Sequence, residues 1–239
     1  MNKFIVIATI ALCMFLSTAI SAQVLKNGSF EQGIAEDGFN QWGFRTVSND
    51  TDISFWSIDA YSVDYVTDYW TASEGLRSVD LNGTAYFADG NVNLAGIVTG
   101  QIAQTLATIP NRTYTLTFDL SGNPDGGPSN KTMTVWTTGD TQDYSFNVAT
   151  IGNNHDDMKW ATQTFTFKAT APSTVLTFAS TTEGPWGPVI DNVVISGVTG
   201  QICHVNSGNK GPKTLTVGSP AIPAHLAHGD REGPCELVQ

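Results

Sequence analysis

Charged residues are scarce in this sequence, and basic residues are scarcer than acidic ones. Lys and Arg number 11 against 22 Asp and Glu, charged side chains make up 14% of the 239 residues, and the formal net charge is −11 at pH 7. Binding to nucleic acid or to an anionic membrane surface draws on clustered positive charge. The composition therefore argues against both kinds of partner, whereas it is compatible with bound cations.

Long hydrophobic runs are also missing, with one exception at the N-terminus. The run Phe4–Ile20 follows Lys3 and ends at the small residues Ser21 and Ala22, which is the arrangement of a secretory signal peptide. We predict a signal peptide over residues 1–22, cleaved after Ala22 or, alternatively, after Ser21; an uncleaved anchor helix is the competing interpretation. Because no second apolar run follows, we expect a mature chain with no membrane span that is secreted, extracellular or at the cell surface.

Cysteine is rare as well. Of the three cysteines, Cys13 falls in the predicted signal peptide, which leaves Cys203 and Cys235 in the mature chain. An even number of cysteines in an exported protein favours a disulfide. A Cys203–Cys235 bond would close a loop of about 30 residues and contribute about 3 kcal/mol according to loop entropy.

Helical periodicity is nearly absent before residue 200, and short alternating segments take its place. The clearest is Thr113–Leu120, with Tyr114, Leu116, Phe118 and Leu120 on one face. The predicted strands are Val63–Val66, Arg77–Leu81, Gly100–Leu106, Thr113–Leu120, Lys131–Thr137, Tyr144–Val148, Thr162–Lys168, Thr174–Phe178 and Val189–Ile195. Many short strands separated by turns, without crossover helices, indicate an all-β fold, an antiparallel β-sandwich.

Motifs spread in order over residues 25–198 resemble the choice-of-anchor C family of secreted proteins. The segments that carry this resemblance are Asn27–Glu31, Val63–Tyr65, Tyr69-Trp70, Arg77–Gly83, Tyr114–Gly126, Phe165–Phe167 and Gly187–Val193. The resemblance implies a galactose-binding-like jelly roll, related to plant cell-wall proteins and carbohydrate-binding modules. It also implies a non-catalytic protein whose partner is a cell-wall or matrix polysaccharide, and we place this domain at residues 23–198.

The composition changes after Ile195, and Ser196–Gly200 is predicted to be a hinge. The tail that follows contains Ile202–His204 and Ala221–Asp230, and it resembles a short C-terminal module of exported bacterial proteins. We therefore predict a separate small Cys/His module at residues 199–239, closed by the disulfide and used for attachment or for contact with a partner.

Aromatic side chains near Asp and Asn supply a candidate sugar site. A ring stacks on the face of a pyranose while polar groups fix its hydroxyls. The turn Asn123–Gly126 offers such polar contacts. The candidate aromatic residues are Tyr65, Tyr69, Trp70 and Trp186, with Trp160 a weaker one. The alternative is that these large side chains belong to the core.

Two acidic residues are candidate Ca²⁺ ligands by resemblance. In galactose-binding-like sandwiches a Glu near the first strand and an Asp entering the last strand often share one structural Ca²⁺, and Glu31 and Asp191 occupy matching positions. Carboxylate oxygens suit this hard cation. The alternative is that Glu31 is solvated and that Asp191 caps a turn through hydrogen bonds.

The tail histidines raise a second metal hypothesis. His225 and His228 are three residues apart, and with His204 and Asp230 they form a candidate zinc set, since zinc takes imidazole and carboxylate ligands. The alternative is a disulfide-stapled module in which the histidines hydrogen-bond locally.

Motifs of catalysis are missing. The sequence has no Gly-x-Ser-x-Gly, no His-Glu-x-x-His and no phosphate loop. A glycosidase needs two carboxyls across a sugar, but Asp156 and Asp157 are adjacent and would point to opposite faces of a strand. The sequence predicts a secreted carbohydrate-binding protein that is not an enzyme. A structural adhesion or matrix protein without a sugar site is the alternative, and a glycoside hydrolase is less favoured.

Overall fold

The computed structural model describes residues 25–48, 50–83, 99–205 and 211–235, so the predicted signal peptide over residues 1–22 lies outside the described residues. The strands are β1 (Phe44–Val47), β2 (Ser57–Ala60), β3 (Val63–Val66), β4 (Ser78–Asp80), β5 (Gln101–Ala107), β6 (Thr113–Gly122), β7 (Asn130–Trp136), β8 (Thr141–Asn147), β9 (Ala161–Lys168), β10 (Ser173–Ser180), β11 (Pro188–His204), β12 (Lys213–Gly218) and β13 (Arg231–Glu232). The α-helices are α1 (Val148–Ile151) and α2 (Ile222–Ala227). Among the described residues, no helix has the length and apolar character that crossing a membrane requires.

The strands form two antiparallel sheets. The first has the order β1-β3-β4-β11-β6-β9, with β12 and β13 pairing to β11. The second has the order β2-β5-β10-β7-β8. Strands distant in sequence, such as β4 and β11, are neighbours in the first sheet. Because β3 and β11 both pair antiparallel with β4, they run parallel, and the loop that follows β3 starts at the end of the sheet opposite the loop that precedes β11.

The main core lies between the two sheets, as alternation along β6 predicts. Tyr114, Leu116, Phe118 and Leu120 are all buried. The Phe118 ring packs edge-on against Tyr144 of β8 and Phe178 of β10, with ring centroids 5.1 and 5.2 Å away. These contacts join β6 of the first sheet to two strands of the second. The predicted antiparallel β-sandwich is confirmed.

The C-terminal residues extend the first sheet rather than following a hinge. The predicted hinge at Ser196–Gly200 is wrong, because β11 runs through it without ending and pairs with β6 up to Thr199. Beyond that point β12 and β13 pair with the last residues of β11. The predicted boundary at residues 198 and 199 therefore falls inside a strand. The predicted disulfide is confirmed: Cys203 and Cys235 are bonded at 2.03 Å.

Candidate functional site

A groove of about 640 Å³ lies on the outer side of the first sheet. Its walls come from three loops: residues 36–40, residues 67–76, which follow β3, and residues 155–156, which precede β9. The lining side chains are mixed in character, and they include Phe39, Asn40, Asp68, Tyr69, Trp70, Leu76, His155 and Asp156. A groove of this size lies within the ordinary range for a small-molecule site.

Tyr69 is the centre of an aromatic cluster in this groove. Its half-buried ring lies 4.5 Å from the His155 ring and 5.3 Å from the Trp70 ring, centroid to centroid. On its other side it contacts Phe44, with centroids 5.4 Å apart. The ring is therefore fixed in orientation while part of it stays accessible.

The Asp125 carboxylate holds the polar ends of the Tyr69 and His155 rings. The Tyr69 hydroxyl donates to Asp125 Oδ2 at 2.7 Å, and His155 Nε2 lies 2.6 Å from Asp125 Oδ1. The Asp125 N–H in turn donates to Asn123 Oδ1, so the turn is held by its own side chain. The predicted turn Asn123–Gly126 thus reaches the groove, although through Tyr69 rather than as a separate arm.

Tyr65 is not a sugar platform, and this prediction is wrong. All four residues of β3 are buried, and Tyr65 has no exposed surface. Its hydroxyl donates to the Phe30 carbonyl oxygen and accepts from Arg77 Nη1 at 2.9 Å. Burial raises the pKa of the Tyr65 phenol, against the lowering effect of Arg77. Because Tyr65 faces the core between the sheets, no ligand can stack on it.

Trp70 lines the groove but is nearly enclosed. It is 5% exposed, and its Nε1 donates to Ser78 Oγ at 2.9 Å. Its ring packs in a second small core with Val66, Met158 and Val189. Trp160 packs against this cluster and donates from Nε1 to the Thr71 carbonyl oxygen at 3.0 Å. Trp70 therefore presents little ring surface to the groove, and Trp160, which is half-buried, does not line it.

Trp186 lies outside the groove and packs against the Asn123–Gly126 turn, which contacts Tyr69. It is half-buried, and a Cβ added to Gly126 would meet its ring at 2.3 Å. Lys131 Nζ donates to the carbonyl oxygens of both Trp186 and Gly126 at 2.7 Å. Trp186 and Tyr69 therefore both contact the Asn123–Gly126 turn, but Tyr69 lines the groove whereas Trp186 does not.

Sequence reasoning missed His155, which lines the groove, and two further tryptophans, Trp42 and Trp136. His155 carries no local signal, because its partner Tyr69 is far away in the chain, whereas Asp125 was included as part of the Asn123–Gly126 turn. Trp42 is 60% exposed in the turn before β1. Trp136 is half-buried beside a shallow hollow of about 560 Å³ over β7 and β10. Trp42 follows Asn40 by two residues, and this pairing of an aromatic residue with an amide was the one signal in the sequence that could have identified the position as a binding candidate.

Glu31 and Asp191 do converge, but on backbone N–H groups. Glu31 Oε1 accepts from the N–H groups of Leu76 and Arg77, and Asp191 Oδ2 accepts from those of Ser73 and Glu74. Asp191 Oδ1 accepts from the Asn192 N–H at 2.6 Å. Burial, with a smaller contribution from the negative charge of Glu31, raises the pKa of Asp191 to about 7.

These contacts do not fit a Ca²⁺ ion. Calcium takes six to eight oxygen ligands, whereas the loop at residues 73–77 turns its N–H donors, not its carbonyl oxygens, toward both carboxylates. The two acids hold a groove-lining loop in place. Calcium binding at Glu31 and Asp191 stays a prediction that rests on the resemblance alone.

The acid pair and the tail histidines occupy other places. Asp157 is exposed and pairs with Lys159 Nζ at 2.5 Å, whereas Asp156 lines the groove. In the tail, His204, His225 and Asp230 come together. His228 is exposed and lies outside that cluster. Three of the four candidate zinc ligands are thus neighbours.

Comparison with known proteins gives one family and several distant likenesses. Halomucin of Haloquadratum walsbyi is 27% identical over 218 residues, which is 89% of this chain but only 2% of Halomucin. The structure of TmCBM61 in complex with β-1,4-galactotriose is similar at 15% identity and a TM-score of 0.41, covering 73% of this chain and 97% of that one. The CBM22-1 xylan-binding domain of Paenibacillus barcinonensis Xyn10C is similar at 14% identity and a TM-score of 0.37, covering 67% and 95%.

Likenesses this distant do not bear on the ligand of the groove. The resemblance to the choice-of-anchor C family, and that of the tail to an exported bacterial module, stay predictions. The family comparison is different in kind, because its match extends over most of the chain. With residues 23–196 matched, this protein belongs to the DUF642 family, described as proteins of unknown function.

Proposed function

We propose that this protein is a secreted, non-catalytic carbohydrate-binding protein of the cell surface or extracellular matrix, and that its sugar site is the Tyr69 groove. A cell-wall or matrix polysaccharide is the ligand class. The observation that carries the proposal is the Tyr69 ring, which is partly accessible, fixed by Asp125 and surrounded by polar side chains in a groove.

The chemistry of the groove matches what a pyranose requires. A sugar offers one apolar face of C–H groups and a rim of hydroxyls, which pairs with an aromatic ring and with carboxylates or amides around it. Tyr69 supplies the ring, while Asn40, Asp68 and Asp156 stand in the same lining. Because the ring is already held by its hydroxyl and by His155, little side-chain freedom is lost on binding.

A binding role fits the groove better than a catalytic one. General acid–base catalysis of glycoside cleavage needs a carboxyl that exchanges a proton with the sugar. Asp125, the carboxylate at the centre of the cluster, already has the Tyr69 hydroxyl on one oxygen and His155 on the other. Its geometry suits it to positioning the rings.

Secretion is supported by two features that have nothing to do with the groove. The predicted signal peptide precedes the domain, and the Cys203–Cys235 bond is of the kind that forms in oxidising compartments. The acidic net charge of −11 leaves neutral or basic glycans as better ligands than strongly anionic ones.

The test is a pull-down of the mature chain, residues 23–239, on insoluble pectin, glucan, chitin and peptidoglycan, followed by calorimetry on whatever binds. Tyr69→Ala should weaken binding about fivefold or more, and Tyr69→Phe should weaken it less, since stacking on a ring contributes about 1 kcal/mol or more. Tyr61→Ala is the matched control, because Tyr61 is 69% exposed and does not line the groove. Far-UV circular dichroism confirms that each variant is folded.

Two outcomes would contradict the proposal. If the folded wild type binds no glycan in the panel, the structural adhesion or matrix alternative replaces it. If Trp136→Ala weakens binding while Tyr69→Ala does not, the sugar site lies instead over β7 and β10, at the hollow beside Trp136.

A further inference from the structure

We propose that His204, His225 and Asp230 form a binding site for a divalent transition-metal ion, with Zn²⁺ as the probe. In the described part of the chain, this is the one group of three His, Cys, Asp or Glu residues whose ligand atoms all lie within 4.8 Å of one another. None of the three residues lines the groove, so the proposal does not depend on sugar binding.

Both imidazoles turn the same nitrogen toward one carboxylate. His204 Nδ1 lies 2.9 Å and His225 Nδ1 lies 2.7 Å from Asp230 Oδ2. The two rings stand almost perpendicular, with centroids 6.0 Å apart, so they approach the carboxylate from different directions. Two nitrogens and one oxygen converging in this way outline three corners of a coordination sphere.

The spacing requires little change to admit an ion. Ligand atoms around a tetrahedral Zn²⁺ with bonds of 2.0–2.2 Å are about 3.4 Å apart. On that basis the 2.7 and 2.9 Å separations in the cluster would have to widen by about 0.7 and 0.5 Å. Side-chain rotation of the two histidines, which are 37% and 26% exposed, accommodates such a shift. Their exposure also leaves the fourth position to water.

The carboxylate is built in rather than loosely placed. The Asp230 side chain is 1% exposed, and its Oδ1 accepts from the Val205 N–H at 2.8 Å. A buried carboxylate is retained where it is paired or coordinates a metal, and a backbone donor on one oxygen orients the other toward the ligand position. Asp230 thus has the partner and the orientation of a metal ligand.

The surrounding elements hold the three residues together. His204 ends β11, His225 lies in α2, and Asp230 immediately precedes β13. The Cys203–Cys235 bond adjoins His204, and Cys203 pairs with Arg231, next to Asp230. Such bracing lowers the cost of assembling the site, because few residues have to be ordered when the ion arrives.

The ligand set selects the class of metal. The two tail cysteines are joined to each other, so thiolates are not offered, and two imidazoles with one carboxylate remain. Imidazole suits zinc, copper and nickel, whereas calcium and magnesium prefer oxygen ligands throughout. We therefore expect Zn²⁺ or Co²⁺ to bind and Ca²⁺ not to bind at this site.

The experiment uses the oxidised mature chain after EDTA treatment and dialysis. Isothermal titration with ZnCl₂ should saturate at one Zn²⁺ per chain, and Co²⁺ should give the visible absorption of a low-coordinate site. His204→Gln and His225→Gln should each weaken Zn²⁺ binding by about tenfold or more. His228→Gln is the matched control and should bind as the wild type does, because His228 is exposed and outside the cluster.

Two results would overturn the proposal. One is the absence of Zn²⁺ and Co²⁺ binding by the folded wild type. The other is equal loss in His228→Gln, or no loss in either cluster variant, which would place the ion elsewhere. The test uses the two histidine variants rather than Asp230→Asn, because a folding defect at that buried position would obscure the effect on Zn²⁺ binding. Glycan binding, measured on the same samples, reports on the groove separately.

Discussion

Replacing Gly187 by Ala is expected to destabilise this protein strongly, because the space beside that residue is already occupied. A Cβ at Gly187 would lie 2.3 Å from Asn82 Oδ1 and 2.4 Å from Asp80 Oδ1. Both of those side chains are completely buried. Contacts that close cannot exist, so Asn82, Asp80 or the backbone of the loop would have to move.

Neither neighbour can move without breaking buried hydrogen bonds. Asn82 Nδ2 donates to the carbonyl oxygens of Thr182 and Gly184 at 2.8 and 2.5 Å. Asp80 Oδ1 accepts from the N–H groups of Asn82 and Gly187 at 2.9 and 3.1 Å. Leaving one such group unpaired costs about 1–3 kcal/mol, and overpacking adds a similar amount. We therefore expect a loss of roughly 2–6 kcal/mol in the free energy of unfolding.

Differential scanning fluorimetry measures this effect directly. At roughly 2–4 °C per kcal/mol for a chain of this size, Gly187→Ala should lower the melting temperature by about 4–24 °C. The matched control is Gly139→Ala, since a Cβ there meets no atom within 4 Å, and its effect should stay within about 0.5 kcal/mol. Equal melting temperatures for the two variants would refute the packing argument at Gly187.

Two further predictions concern acidity and the disulfide. Burial raises the pKa of Asp80 to about 8 and that of Asp191 to about 7, above the ordinary value of 3.8. The folded chain then holds these protons more tightly than the unfolded chain, so the urea concentration at the unfolding midpoint should decrease as the pH is raised from about 5 to about 8. Asp80→Asn should flatten that decrease, and a midpoint that increases over this pH range would contradict the assignment. Replacing Cys203 and Cys235 together by Ser opens a bond between residues separated by 32 positions, which should cost about 3–4 kcal/mol in chemical unfolding. An unchanged unfolding curve would show that the tail is stable without the bond.

The main strands were predictable because their signal is local. Thr113–Leu120 alternates in sequence, and β6 buries the same four apolar residues against the second sheet. Val63–Val66 matches β3 to the residue. By contrast, β13 has only two residues, too few for an alternation to be recognised. β1 and β2 were also not predicted, although they have four residues each, as β3 does.

The predicted hinge illustrates how composition misleads. Ser196–Gly200 contains two glycines, which ordinarily punctuate a chain. In the fold this stretch continues β11, because β6 on one side still offers backbone partners up to Thr113 and β12 begins pairing at Thr199. Whether a glycine ends a strand depends on what lies beside it, and that neighbour is set by strand order rather than by local sequence.

The candidate site depends on a long-range arrangement that no local pattern encodes. Alternation along β3 places Val63 and Tyr65 in the main core, whereas Val66 joins Trp70, Met158 and Val189 in a second core on the opposite face of the sheet. That second core explains why Trp70 is enclosed while Tyr69, the residue before it, stays partly accessible.

The residues that follow β3 pack against this second core. The Trp70 ring is buried in it, whereas the Tyr69 ring remains at the surface of the groove. His155 and Asp125 then reach Tyr69 from loops that precede β9 and β7. An aromatic residue becomes available to a ligand when a neighbouring ring satisfies the core and a distant polar group fixes its edge. Tyr69 meets both conditions. The Tyr65 hydroxyl is also fixed, by Arg77, but the Tyr65 ring itself fills the main core, and sequence spacing alone does not distinguish the two cases.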